Sequence, residues 1–105
     1  MNLEDTTSMV EQKAKILGET AQIPWQDLQS WFAKGLVLNV SPALNLVDVA
    51  YALSIDDKPC FERWTREKSV ITVTDAQALE WIENDAVLWA VVVRPWILVQ
   101  LPRSE

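Results

Sequence analysis

Between Asp85 and Arg103 the chain carries a single charge, Arg94. The heart of this segment reads WAVVVRPWILVQLP, from Trp89 to Pro102, and no other stretch limits the fold as sharply. A helix across a bilayer needs about 20 apolar residues. The apolar run from Ala86 to Leu101 is shorter and is broken by Arg94-Pro95, so it does not suit a membrane span. Its Val, Ile and Trp residues suit strands instead. Val87, Trp89, Val91 and Val93 alternate with Leu88, Ala90 and Val92. Both sets are apolar, which marks a central strand covered on both faces. Pro95 interrupts the ladder. Trp96 to Leu101 then returns as a hairpin partner or continues as a bent edge strand. A return needs a tight turn, and no Gly or Asn stands at Arg94-Pro95 to help it. A bend or bulge is therefore favoured over a hairpin.

The preceding residues supply helices and two shorter strands. Residues 7–22 read as a helix with Val10, Ala14, Leu17 and Ala21 on one face, widened by Met9 and Ile16. Glu11 and Lys15 form an i,i+4 pair of the favourable order. Gly18 weakens this helix unless another backbone packs close to it, so part of the helix is expected outside the core or on a partner. IPWQDLQSWFAKG gives a second helix over 24–34, stopped by Gly35. LVLNV (36–40) is a short strand ended before Pro42. Asn45 caps a third helix whose stripe is Leu46, Val49, Ala50 and Leu53. Val47 and Tyr51 make it apolar over much of its girth, which predicts a central position. Asp56 and Asp57 cap a fourth helix carrying Phe61 and Trp64; VITV (70–73) is a strand. Thr74 and Gln77 form a capping box for a fifth helix facing inward through Ala78, Trp81 and Ile82.

The pattern predicts an α+β fold: a small, mostly antiparallel sheet of three to four strands, covered by about five helices. A length of 105 residues fits a single domain, residues 1–105, with 1–8 and 103–105 frayed. Together, IPWQDLQSWFAKG, LNLVDVAYAL, DDKPCFERW, TDAQALEW and WAVVVRPWILVQ resemble an uncharacterised bacterial family, a domain of unknown function of the DUF2288 type. The resemblance runs over roughly residues 10–101. It implies a small bacterial cytoplasmic protein and assigns no activity, substrate or catalytic residue.

Composition removes several chemistries. Histidine is absent, which excludes His-based nucleophile activation, His metal sites and the usual proton shuttle near neutral pH. One cysteine, Cys60, closes neither a disulfide nor a structural zinc site. Two glycines, Gly18 and Gly35, make no phosphate-cradling loop. The lone cysteine and the polar opening MNLEDTTSM point to the cytoplasm. The net charge of −6 disfavours nucleic acid.

The remaining candidates each have a plain structural reading. Trp31, Trp64 and Trp81 fall on apolar helix faces and read as core. Trp25 and Trp96 adjoin Pro24 and Pro95 at element ends. With Arg94 and Leu98 they form the candidate interface, since Trp anchors are enriched at interfaces. Arg94 must reach water or pair with a carboxylate. Asp56 and Asp57, with Asp48 and Glu62 nearby, offer oxygen ligands to magnesium, but capping explains the adjacent aspartates. Cys60 lies where a helix dipole can lower a thiol pKa, yet has no histidine base. Arg63, Arg66 and Lys68 are diluted by Glu62 and Glu67, too weak a basic edge for a winged-helix DNA reader. No catalytic residue, metal or cofactor is expected. A non-enzymatic protein-interaction or self-associating module ranks first, with a homo-oligomer or another protein as partner and no membrane. In that view Trp96 to Leu101 is a sheet edge that a second copy shares. A small-molecule binder or carboxylate-based enzyme, limited to Asp, Glu, Lys, Arg and Tyr51, ranks second, and a nucleic-acid binder third.

Overall fold

A computed structural model describes residues 3–102 of the chain. The frayed ends expected at 1–8 and 103–105 include positions 1, 2 and 103–105, which lie outside the described residues. The first helix, α1, begins at Leu3 and ends at Glu19. Strand β1 (Ala21–Pro24) follows, then a 3-10 turn (Trp25–Leu28) that runs into α2 (Gln29–Ala33). Next come β2 (Val37–Val40), α3 (Leu46–Ser54), α4 (Lys58–Arg66), β3 (Val70–Thr72), α5 (Asp75–Glu83), β4 (Val87–Val93) and β5 (Trp96–Gln100).

The five strands form one sheet in the order β1-β4-β5-β2-β3. β1–β4, β4–β5 and β2–β3 are antiparallel, and β2–β5 is parallel. The fold is α+β, as the sequence predicts, with one strand more than the three to four expected. The extra strand is β1, from AQIP, where the sequence pattern predicts the end of one helix at 22 and the start of another at 24. Its register, Ala21 opposite Ala90 through Pro24 opposite Val87, is set by the long apolar β4.

Two expectations about the last strands are corrected. Val93 pairs with Trp96, so Arg94-Pro95 is the two-residue turn of a hairpin. The Arg94–Pro95 peptide bond is cis. In addition β5 is no edge. It is hydrogen-bonded to β4 on one side and β2 on the other, so it has no open ladder to share with a second copy. The edges are β1 and β3, of four and three residues. Both are short, and β1 carries Pro24, which blunts an edge.

Strand alternation divides the core. On one side Leu38, Val40, Val91 and Leu98 pack under α3 and Trp64 of α4, with Ile16 of α1 against them. On the other side Val37, Leu88, Ala90, Ile97 and Val99 pack under Trp25, Leu28, Ala78 and Trp81. The caps are local chemistry. Asn45 accepts from the amides of Val47 (2.9 Å) and Asp48 (3.2 Å). Asp57 accepts from Cys60 N–H at 3.3 Å, and Thr74 from Gln77 N–H at 3.2 Å. Only that half of the expected capping box forms, because Gln77 Oε1 accepts instead from Asn39 Nδ2 at 3.4 Å. Gly35 adopts φ 73°, the left-handed stop expected after α2.

α1 departs most from expectation. From Ser8 on, its half-buried positions are Lys13 and Ile16, with Thr20 just past its end, while Val10, Ala14 and Leu17 are exposed. Of the apolar stripe read from the sequence, Val10, Ala14 and Leu17 share an exposed helix face, whereas Ala21 lies in β1. Lys13 anchors the helix to α3, with Nζ 3.1 Å from Asp48 Oδ1 and 5.4 Å from the centre of the Tyr51 ring.

Candidate functional site

One uncovered part of the sheet lies on the α1 and α3 side; on the other side Val92 is as exposed as Trp89. β4 has seven residues, about 23 Å of strand, whereas the nine-residue α3 is only about 14 Å long. Cover runs out toward the start of β4, leaving Val87 and Trp89 exposed, Trp89 to 39%. The sequence reading placed Trp89 in a doubly covered strand; alternation was right, and coverage was not. The mismatch of strand and helix lengths was the available signal.

Trp89 stands in a groove of about 500 Å³. Leu17 of α1 and Thr20 just past it form one wall, residues 44–47 around the start of α3 the other, and Gln100 and Leu101 close the end. No ionisable side chain lines it. Three of its side-chain polar atoms are occupied. Thr20 Oγ1 donates to Ile16 O at 2.7 Å, Asn45 caps α3, and Gln100 Nε2 donates to the carbonyls of Ser41 (2.9 Å) and Leu44 (2.8 Å). The surface can exclude water from an apolar group, and it holds no group to move a proton or attack a substrate.

The residues singled out by sequence are scattered. Trp25 is 1% exposed, edge-on to Trp81 and Phe32 with ring centres at 4.9 and 5.5 Å. Leu98 is fully buried. Neither offers area to a partner, because each fills the space between the sheet and its helices. Arg94 is exposed and reaches water beside a hollow it shares with Glu19, Trp31 and Val92. Trp96 is half-buried and lines a second hollow, of about 270 Å³, with Leu38, Leu53 and Phe61 below and Asp56, Asp57 and Lys58 at the rim.

Among the described residues the carboxylates do not converge. Asp48 pairs with Lys13, Asp57 caps α4, and Asp56 Oδ2 lies 4.0 Å from Lys58 Nζ. Among the described residues no three His, Cys, Asp or Glu side chains come together as a metal site. Cys60 is half-buried beside Asp57. Its thiol pKa is raised, by the hydrogen bond to Asp57, then burial, then the Asp57 charge, against a lowering by Arg63. The expected depression by the helix dipole is thus reversed by the helix's own cap. Among the described residues no helix is long and apolar enough to cross a membrane.

Residues 11–101 match the family model described as a protein of unknown function, DUF2288. The NMR solution structure of PA1075 from Pseudomonas aeruginosa is similar at a TM-score of 0.77 and 38% sequence identity, covering 99% of this chain and 94% of that one. No curated protein matches. The family match spans both clusters of the core and all five strands, and the chain belongs to the DUF2288 family of proteins of unknown function.

Proposed function

We propose that this chain is a non-enzymatic interaction module, a small bacterial protein of the reducing cytoplasm that works by burying the Trp89 groove against another protein surface. One observation carries this reading. The groove is uncharged, Thr20 Oγ1, Asn45 Oδ1 and Gln100 Nε2 in its lining are already hydrogen-bonded, and a large aromatic side chain is left exposed in it. Exposed Trp set in an apolar patch has the composition of an interface anchor. Trp96 and Arg94 remain at the surface as secondary contacts, on opposite sides of the sheet.

A small-ligand reading has one supporting feature, the apolar hollow under Trp96 with its charged rim. At about 270 Å³ it falls below the ~300–1,000 Å³ of typical ligand pockets, so it ranks second. The test is a nuclease-treated capture of the tagged protein from its host, alongside Trp89→Ala. A stoichiometric protein, whether a different chain or an untagged copy, held by the wild type and lost from the folded variant supports docking. Equal capture by both, or no stoichiometric protein at all, sinks it.

A further inference from the structure

The hollow under Trp96 shares no lining residue with the Trp89 groove and lies at the other end of the β4–β5 hairpin. In its lining Leu38 is buried, and Leu53, Phe61 and Trp96 are half-buried. A cavity of about 150 Å³ holds one benzene ring. At about 270 Å³ this hollow has room for one small molecule. Two of its apolar residues are aromatic, and aromatic faces attract cations. The protein makes that contact elsewhere: Lys13 Nζ stands 5.4 Å from the centre of the Tyr51 ring, and the Arg63 guanidinium 6.0 Å from that of Trp64. Among the described residues no cation stands over Phe61 or Trp96.

The rim adds charge of the matching sign. Of its three charged residues, Asp56 and Asp57 are carboxylates and Lys58 is the one ammonium. Asp57 Oδ1 accepts the Cys60 amide. Asp56 is held more loosely. Its Oδ2 is 4.0 Å from Lys58 Nζ, and the two side chains are 81% and 76% exposed. An ion pair at that distance and exposure contributes little, so Lys58 leaves the Asp56 carboxylate available.

We propose that this hollow binds a small organic ammonium ion, its alkyl groups against Leu53, Phe61 and Trp96 and its charge beside Asp56 and Asp57. Each half of the site excludes a different competitor. The carboxylates repel an anion, and a neutral ligand leaves them without a counter-charge. The aromatic and aliphatic surface cannot replace the water that a metal ion would lose there. A cation clothed in alkyl groups satisfies both halves. Lys58 opposes it, as a like charge at the same rim. This site goes beyond the docking reading and is independent of it.

The test is an NMR titration of the isotope-labelled full chain with choline, following the tryptophan indole N–H signals. The Trp96 signal is assigned by its absence from Trp96→Phe. Choline is expected to move that signal saturably in the millimolar range. Its neutral isostere, the alcohol in which carbon replaces the nitrogen, has nearly the same shape and should bind about tenfold more weakly. Asp56→Asn should weaken choline several-fold. Asp56 has φ 56°, and Asn adopts that left-handed backbone as readily as Asp, so the turn is kept. Lys58→Gln should tighten choline about threefold and leave the isostere unchanged, a gain that damage to the fold does not produce. Equal binding of choline and its isostere overturns the proposal, since a plain apolar hollow would do the same. So does a Trp96 signal that stays still throughout the millimolar range, or a choline response that both rim variants leave unaltered. The comparison of the two ligands uses the wild type alone, so it decides even where a variant fails to fold. Failure of Trp89-dependent capture would sink docking and leave this result untouched.

Discussion

Asp57 accepts the Cys60 amide and, through the same carboxylate, holds the Cys60 thiol above its ordinary pKa. A thiol with a raised pKa has less thiolate at any given pH, and thiolate is the reactive form. Asp57→Asn keeps a capping oxygen and removes the charge, so alkylation of Cys60 at pH 8 should become several-fold faster. An unchanged rate would show that Asp57 does not control the thiol. Arg94 was expected to need a carboxylate or water, and it reaches water. Arg94→Met should therefore shift unfolding free energy by no more than about 0.5 kcal/mol in urea titration. Around Gly18 the space is open, with nothing within 4 Å of an added Cβ. The close backbone approach that would justify this glycine is not made within the chain. Gly18→Ala should accordingly stabilise the fold by about 0.4–1 kcal/mol, read as a higher thermal midpoint.

Among the elements, those governed by local chemistry were legible. Asn45, Asp57, Thr74 and Gly35 start or stop their helices where the sequence places them, because each acts on amides or dihedrals within a few residues. Loss of the two amide bonds in Asn45→Ala should cost about 1 kcal/mol in chemical denaturation. Elements that depend on a distant partner were not legible. AQIP has no strand pattern of its own and becomes β1 only because β4 runs beside it. For α1, periodicity found the stripe of Val10, Ala14 and Leu17 but not what would face it. A hydrophobic period reports which residues share a face and is silent on whether the chain itself covers that face. The same limit hid the candidate site: Trp89 alternates as a core residue should, and only the shortness of α3 against β4 leaves it bare.

In the molecule as a whole, the six tryptophans divide by environment. Trp25, Trp64 and Trp81 are buried, Trp31 and Trp96 half-buried, and Trp89 exposed. Acrylamide should quench Trp89 first, and Trp89→Phe should remove most of the readily quenched emission; if the quenchable fraction survives, the groove is covered. The sheet that carries this groove is joined in an unusual order. β2–β3 and β1–β4 are separate pairs, and the only strand touching both is β5, the last of the five in the chain. Val37 and its parallel neighbour Ile97 are sixty positions apart. On a ribosome adding about 5–20 residues per second, Val37 waits roughly 3–12 s before Ile97 exists. Within that interval β2–β3 can pair once residue 72 is made and β1–β4 only after residue 93, so the nascent chain holds two half-sheets with apolar flanks and no seam between them just before β5 follows. The segment that closes the seam is the uncharged one, so the residues that complete the sheet are also those a chaperone would meet last.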